Sequence, residues 1–545
     1  MPFALAVMVS AAAGWLVFLH LVLPGRPPHW DEAAHALQGA LVAQDVRELD
    51  LLSLLFDTYR QVYWPPLHSW LVGGAFLVAG ESIEVARAVS VLAYVLLAPT
   101  LFLVARTVKP ARGVLAGGVA ALLALTSPGM IRYASEAMLE MPGMLAIAAT
   151  ILVHSRLERN PGGPPAAHAL LGVTVVLTYL VKSSYGVLLL LTIASTKLIA
   201  AGFRPRRLWT RRNLYAVLPV AVFGAIWFAY PPKVVSTWEA LVNRPWGGEA
   251  ARGIRGLWYY PRAMADFSGS WWMCALLWGG LVAAWRSRAR PGIDLLVALP
   301  LVLLLIGSLH HTKLPRHILP VFPALFALAG IAAADLWGRL GSRGRSARAA
   351  ALGVLAGLAM LHGSALARRD GLPADRPMTE VLAHVSRLVR EEPPVLVVST
   401  NGPWPQPPVI DWHLMAVEGV LPVTATGTGM DPRQERRLAA AIGGLPAPLR
   451  AGAGRVLGRY DEPAAVRSLH VGERYVEGRA EFEAFLEETL ERGRTRSIVA
   501  VIGTADTTRF PAGFVTRVPL RAGFRLVSVR EFPDAGTEVR VYRRR

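Results

Sequence analysis

Cysteine is almost missing from this chain, and charged residues are scarce. The 545 residues include one cysteine, Cys274, which excludes an internal disulfide and a zinc site built from several cysteines. Charged residues make up 17% of the sequence and hydrophobic residues 53%, and few charges fall within the long apolar runs. This balance argues against an ordinary soluble chain and indicates a membrane protein.

The excess of basic residues has a topological explanation. Lysine and arginine number 57 against 38 aspartates and glutamates, which gives a net charge of +19. The arginines cluster in short loops between apolar runs, for example in residues 204–212, 286–290 and 339–348. This is the positive-inside pattern of cytoplasmic loops. We therefore expect no nucleic-acid partner.

Apolar runs of about 20 residues predict about eleven membrane spans. They lie at about 3–23, 84–106, 113–131, 137–155, 166–181, 183–201, 214–230, 269–285, 293–309, 316–337 and 349–366. With this list every arginine-rich loop falls on one face, so the N-terminus is predicted to be cytoplasmic in a multi-pass protein of the inner (plasma) membrane. If the run 66–82 crossed the membrane, every later arginine-rich loop would lie on the outer face. We therefore expect this run to lie in the outer interface or to re-enter the protein.

The character of the sequence changes after residue 367. Apolar and charged positions alternate at helical spacing in 379–390 and 481–492, and residues 395–399 and 497–502 read as buried strands. Residues 524–531 and 538–542 read as a hairpin across 534–536. We predict a membrane domain over 1–367, with a catalytic outer loop at 24–82, and an extracytoplasmic α/β domain over 368–545.

Acidic and basic residues gather in four outer segments. A reaction that releases a phosphate on a lipid needs a carboxylate to take the acceptor's proton and cations to stabilise the departing phosphate. Charged groups held near membrane depth are costly and tend to be functional. The four segments supply Asp31, Glu32, His35, Arg60, Tyr63 and Trp64; then Arg132, Glu136 and Glu140; then Lys182; and then His310, His311, Lys313 and Arg316.

Four motifs carry a resemblance to a known family. The stretches W-D-E-A-A-H-A-L-Q-G, P-P-L-H-S-W, L-E-M-P and K-L-P-R-H-I-L-P-V-F-P resemble those of GT-C glycosyltransferases. They are most similar to the bacterial relatives of protein O-mannosyltransferases and lipid A aminoarabinose transferases, up to about residue 340. The resemblance implies a multi-span helical GT-C fold. It places Asp31 at the catalytic centre as general base, with Glu32 beside it, and gives functional positions to Glu140 and Arg316.

One position departs from the pattern of the family. Many relatives have a lysine directly before the Pro-Pro pair, where this chain has Trp64. Recognition of the lipid phosphate then falls on other cations, and five compete for the role. They are Arg60, Arg132, Lys182, Lys313 and Arg316. His35, Tyr63, Trp64 and Glu136 complete the expected substrate-binding set.

The resemblance implies an inverting glycosyltransferase. The sugar would move from a polyprenyl-phosphate donor to a glycolipid, polysaccharide or protein acceptor outside the cytoplasm, with membrane lipids as further partners. Two alternatives stay open: a flippase or transporter of polyprenyl-linked glycans, and a membrane scaffold for envelope assembly. Release of free polyprenyl phosphate in the presence of acceptor separates the enzyme from both.

Simpler interpretations of the same residues are structural. Asp31 and Glu32 suit the first turn of a helix, where the macrodipole favours acids by about 0.3–1 kcal/mol. His310 and His311 are candidate ligands of a divalent metal ion, and adjacent histidines in a surface loop are also commonly solvated. Lys182 at the end of a span can reach to the interface without binding substrate.

Overall fold

The structure is a computed structural model of the whole chain. It describes residues 1–59, 61, 64–229, 233–234, 249–250, 253–285, 291–309, 312–340, 376–391, 393–400, 407–418, 423–424, 466–471, 495–503 and 518–545. The predicted span at 349–366 and the predicted helix at 481–492 lie outside these residues, and so do Arg60, Tyr63, His310 and His311.

Helices account for most of the described chain. In chain order they are α1 (Pro2–Val17), α2 (Trp30–Arg47), α3 (Leu51–Tyr59), α4 (Leu67–Ala79), α5 (Ile83–Val108), α6 (Gly113–Thr126), α7 (Pro128–Ala134), α8 (Glu140–Arg159), α9 (Pro165–Val181), α10 (Ser183–Ala200), α11 (Arg211–Trp227), α12 (Gly253–Ser268), α13 (Trp271–Trp285), α14 (Ile293–Leu309), α15 (Phe322–Leu340), α16 (Arg376–Glu391) and α17 (Pro407–Glu418). A π-helical turn, Phe18–Val22, extends α1, and a 3₁₀ segment, Pro315–Val321, leads into α15.

Among the described residues, three strands have two residues each and the other five have six to nine. They are β1 (Glu249–Ala250), β2 (Thr312–Lys313), β3 (Val395–Thr400), β4 (Val423–Thr424), β5 (Val466–Val471), β6 (Ser497–Gly503), β7 (Phe524–Phe532) and β8 (Thr537–Arg544). β1 and β2 form an antiparallel pair, and the other six form one sheet.

Several helices are apolar enough to cross a membrane. Among the described residues four reach the necessary length: Pro2–Val22, Ile83–Val108, Ser183–Ala200 and Pro315–Leu340. The number rises to six if each of two bent helix pairs counts as one span. The total of about eleven stays a prediction. α4 is a helix of 13 residues, shorter than a bilayer core about 30 Å thick requires. Its interfacial or re-entrant position stays a prediction.

One predicted span is broken by a bend, and another begins directly after one. The span predicted at 113–131 breaks between α6 and α7, which meet at 62°. Pro128 begins α7 and has no N–H to donate to α6, so the helix ends before it. The span predicted at 269–285 is α13, which follows residues 258–268 of α12 at 110°. These bends bring polar residues at helix ends into the interior of the bundle.

Packing divides the chain into two units. The first contains Met1–Gly25, Val62–His68 and Arg87–Gly371. Its core is apolar and helical: α6 packs on α15, α9 packs on α8 and α11, and α13 packs on α15. α15 is buried along most of its length, because its inward positions carry small and apolar residues from Phe322 to Ile331. This unit holds the L-E-M-P and K-L-P-R-H motifs.

The second unit contains Arg26–Gln61, Ser69–Ala86 and Leu372–Arg545. Its sheet has the strand order β4-β5-β3-β6-β8-β7. β3 runs parallel to β5 and β6, and β8 pairs antiparallel with both β6 and β7. β6 is buried at every position, as its continuous apolar run from Ser497 to Ile502 predicts for a central strand. α16 packs against this sheet.

Helices α2, α3 and α4 belong to this second unit. α2 packs on α17, and the ring of Phe76 on α4 stacks on Trp412 of α17 with centroids 6.0 Å apart. The segment expected to be an outer loop is therefore largely helical, because Ala, Leu and Gln dominate it after Asp31. This grouping places the segment with the C-terminal part of the chain, whereas the sequence places it with residues 1–367. The boundary at 367 stays a prediction.

Four local predictions in the second half of the chain are confirmed. The helix expected at 379–390 is α16, and the strands expected at 395–399 and 497–502 are β3 and β6. The hairpin forms from β7 and β8, whose turn contains Gly536 at φ 57°, a left-handed conformation that suits glycine.

Candidate active site

A buried carboxylate lies at the centre of the polar cluster in the first unit. Glu140 is the first residue of α8 and is 1% exposed. Nζ of Lys182 donates to its Oε1 at 2.6 Å, and Nε of Arg316 lies 3.8 Å from the same oxygen. Three residues that are distant in sequence therefore share one site, and each was a candidate from the sequence.

Each of these side chains lies at the end or junction of a helical segment. Glu140 opens α8, Lys182 forms the junction between α9 and α10, and Arg316 is in the first turn of the 3₁₀ segment. The positive end of the helix dipole at the start of α8 favours a carboxylate there. The bundle thus brings functional groups together without placing a charge in the middle of an apolar helix.

Two glycines allow this packing. A Cβ on Gly143, one turn after Glu140, would lie 2.7 Å from Cδ2 of Tyr185, so only glycine admits the tyrosine ring at this distance. A Cβ on Gly186 would lie 2.4 Å from Cα of Tyr179. Gly186 therefore permits the tight junction of α9 and α10 that carries Lys182.

Two cations lie beside one carboxylate in this site. Glu140 contributes one negative charge, while Lys182 and Arg316 contribute two positive ones. Arg316 is the more accessible cation, with 31% of its side chain exposed against 15% for Lys182. Both cations can bind an anion, and the planar guanidinium of arginine suits a phosphate.

A second ion pair precedes this cluster in the chain. Nε of Arg132 donates to Oε1 of Glu136 at 3.2 Å, and the guanidinium lies 5.5 Å from the ring centre of Tyr133. Glu136 is buried and the Arg132 side chain is about half exposed. Arg132 also interacts electrostatically with Arg316, which places these like charges in the same region of the first unit.

Lys313 has a different environment. It is fully buried, and its Nζ donates to the carbonyl oxygens of Gly307 at 2.6 Å and Ser308 at 3.2 Å. These carbonyls belong to the last turn of α14, where helix carbonyls have no intrahelical partner. Its own carbonyl accepts from the hydroxyl of Tyr259 at 3.2 Å. These contacts favour a capping role for Lys313 over phosphate binding.

The second unit contains the other acidic motif. Asp31, Glu32 and His35 all lie on the first turns of α2. Oε2 of Glu32 accepts from the backbone N–H of His29 at 3.2 Å, and its Oε1 lies 3.8 Å from Nη2 of Arg26. Glu32 thus caps its own helix, which was the simpler interpretation of the sequence. Asp31 is half-buried, and His35, one turn later, is buried.

Of the remaining sequence candidates, the structure describes only Trp64. Trp64 is half-buried just before α4, in the first unit. Arg60, Tyr63, His310 and His311 lie outside the described residues. Within the part that the structure describes, no three histidine, cysteine or acidic side chains are grouped to hold a metal ion.

Tyr185 is a member of the site that the sequence candidates omitted. Its ring lies 4.8 Å from Nζ of Lys182 and contacts the backbone position of Gly143. The spacing K-S-S-Y-G, with the tyrosine three residues after the lysine at the start of a helix, was the available signal.

Part of the chain matches a known protein family. Residues 64–230 match the family of dolichyl-phosphate-mannose-protein mannosyltransferases. This range includes Glu140 and Lys182, and it excludes Asp31 and Arg316. No curated protein matches the chain by sequence.

Solved structures show where the fold has been seen before. ArnT from Cupriavidus metallidurans, bound to undecaprenyl phosphate, superimposes with a TM-score of 0.56 at 16% identity, over 98% of this chain and 97% of ArnT. The oligosaccharyltransferase of Archaeoglobus fulgidus, in complex with zinc and sulfate, gives a TM-score of 0.53 at 14% identity, over 93% of this chain and 68% of that enzyme. This chain has the GT-C fold. The resemblance drawn from the four motifs is thereby confirmed at the level of the fold.

Proposed function

We propose that this protein is an inverting glycosyltransferase that uses a polyprenyl-phosphate-linked sugar as donor. One observation carries the proposal: Glu140 is buried beside two cations, Lys182 and Arg316, in a GT-C bundle. ArnT, which has this fold, is known with undecaprenyl phosphate bound. A site with two cations suits the lipid phosphate, and the cations stabilise that phosphate as it departs.

The proposed reaction is a single displacement. The acceptor hydroxyl attacks C1 of the sugar, the bond between C1 and the phosphate oxygen breaks, and the lipid phosphate leaves with the electron pair. The acceptor's proton passes to a carboxylate, and we retain Asp31 as that general base. Arg316 and Lys182 are the proposed phosphate ligands, and Glu140 positions both of them.

The proposal includes a location. We infer that the site works on the outer side of the membrane, because the arginine-rich loops define the cytoplasmic face. A reporter that is active only outside the cytoplasm is expected to be silent when fused after residue 208. Activity of that fusion would reverse the topology.

The experiment that tests the reaction measures the lipid product. Purified protein is incubated with undecaprenyl phosphate carrying mannose, in the presence and absence of bacterial membranes as acceptor, and free undecaprenyl phosphate is quantified. We expect release that depends on added membranes and is lost in the Asp31→Asn variant. A transporter would release none, and neither would a scaffold, so the absence of release with a panel of donor sugars would refute the proposal.

A further inference from the structure

Two buried polar atoms next to the Lys182–Glu140 ion pair are without a hydrogen bond among the described residues. They are Oε2 of Glu140 and the hydroxyl of Tyr185, which are on side chains 1% and 2% exposed. A carboxylate oxygen only accepts, whereas a phenol hydroxyl both donates and accepts. Buried polar groups in proteins nearly always have a hydrogen-bond partner. Two such groups without one in the same site therefore point to a ligand.

The two side chains that carry these atoms both lie next to the same ammonium group. Nζ of Lys182 lies 2.6 Å from Oε1 of Glu140 and 4.8 Å from the ring centre of Tyr185. The ring is held against α8 at Gly143, one turn from Glu140. The phenol oxygen interacts electrostatically with Glu140, Tyr133 and Arg316. The Tyr185 ring packs in the apolar core of the first unit, and its hydroxyl is close enough to the charged residues to interact with them.

The chemistry of the two atoms defines what fits between them. A phosphate diester has no hydrogen to give, so it cannot satisfy Oε2 of Glu140. A hydroxyl satisfies both atoms, because it donates to the carboxylate and accepts from the phenol. In the donor the group next to the phosphate is the sugar ring, whose substituents are hydroxyls.

We propose that Tyr185 and Oε2 of Glu140 bind a hydroxyl group of the donor sugar. This rests on the proposed function, in which Lys182 and Arg316 hold the phosphate of the same donor. Tyr185 is then a residue that determines sugar specificity. A site built to bond a hydroxyl discriminates strongly, since its buried polar groups are left unpaired by the wrong ligand.

The first test is stability without ligand. Tyr185→Phe removes only the hydroxyl and keeps the ring packed on Gly143. The matched control is Tyr94→Phe, since the Tyr94 hydroxyl is also buried in the first unit but donates to the carbonyl of Leu125 at 2.5 Å. We expect the melting temperature of the full chain in detergent to fall in Tyr94→Phe and to stay equal or rise in Tyr185→Phe. A fall of similar size in both variants would overturn the proposal, because the Tyr185 hydroxyl would then have a protein partner.

The second test is binding of two lipids that differ only in the sugar. The probes are undecaprenyl phosphate and the same lipid carrying mannose or glucose. We expect Tyr185→Phe to bind the bare lipid within twofold of wild type and to bind the preferred glycosylated lipid at least tenfold more weakly. Unchanged affinity for both lipids, or an equal loss for both, would overturn the hydroxyl-binding role.

Failure of the proposed function gives a separate result. If wild type does not bind undecaprenyl phosphate at all, the donor site itself is refuted, and the sugar subsite with it. If wild type binds both lipids and Tyr185→Phe behaves identically, only the subsite is refuted.

Discussion

Nζ of Lys182 lies 2.6 Å from Oε1 of Glu140, although 42 residues separate the two in sequence. The carboxylate is almost completely buried, and it relies on Lys182 and Arg316 for compensation of its charge. Removing one partner of such a pair is costly, since the other charge remains buried without full compensation.

The first prediction concerns this pair. Lys182→Met is expected to lower the free energy of unfolding by about 3 kcal/mol, and Glu140→Gln by a similar amount. The double variant is expected to lose less than the sum, because neither charge of the Lys182–Glu140 pair is left without the other. Chemical denaturation of the purified chains in detergent measures all three. Lys197→Met is the control: its partner Glu158 is about one-third exposed, and exposed pairs contribute about 0–1 kcal/mol. Additive losses at Lys182 and Glu140 would contradict the coupling.

The second prediction separates two cations that are three residues apart. Arg316→Met is expected to weaken binding of undecaprenyl phosphate at least tenfold, and Arg316→Lys to recover only part of it, since an ammonium does not reproduce a bidentate contact. Lys313→Met is expected to lower the melting temperature, because Nζ of Lys313 binds the carbonyls of Gly307 and Ser308. Affinity is measured on monodisperse protein. Normal affinity in Arg316→Met would transfer the phosphate role to Lys182, Arg132 or Arg60.

The sequence singled out three charged residues that the fold brings together, but it did not predict which of them pair. Glu140, Lys182 and Arg316 all stood out as charged residues at the ends of apolar runs. That Glu140 pairs with Lys182 was not predictable, because the contact depends on how α8 packs against α9 and α10. The hairpin of β7 and β8 was predictable from local turn chemistry at Gly536. The position of β6 between β3 and β8 was not, since strand order depends on long-range packing.

The bend between α6 and α7 is indicated by a proline in the sequence, which hydropathy alone does not detect. A continuous apolar run predicts one span, yet Pro128 lies within it and ends the first helix.

The outer segment from Asp31 was expected to be a loop because it is polar. The segment forms the helix α2 instead, because Ala, Leu and Gln have high helix propensity and because the helix packs on α17.

The third prediction distinguishes the two acids at the start of α2. Asp31→Asn is expected to reduce turnover by about 10²–10⁴-fold while abundance and lipid binding stay normal, because the amide keeps the shape and loses the basicity. Glu32→Gln weakens the cap at His29 and is expected to cost about 0.5–2 kcal/mol of stability, with turnover per folded molecule falling less than tenfold. Transfer rate and melting temperature are measured on both variants. Normal turnover in Asp31→Asn would remove it as the general base.

The fourth prediction concerns pH and the second unit. His384 lies on α16, where Nη2 of Arg387 donates to its Nδ1 at 2.7 Å and its ring packs on Phe532 with centroids 5.6 Å apart. Burial together with the positive charges of Arg530 and Arg387 lowers the pKa of His384 from 6.5 to about 4. The folded chain therefore keeps this histidine neutral where the unfolded chain protonates it.

The sign of the effect follows from proton binding. Between pH 6.5 and about 4 the unfolded state binds more protons than the folded state, so this group's contribution to stability is complete above pH 6.5 and is lost as the pH falls through that window. In His384→Gln the contribution is absent, while the glutamine oxygen still accepts from Arg387. Wild type is expected to lose a few °C more than His384→Gln when the melting temperature is compared at pH 7.5 and pH 4.5. Arg530→Met removes one of the repelling charges, raises the pKa of His384 and is expected to give an intermediate loss. Parallel pH profiles in all three proteins would show that His384 titrates normally in the fold.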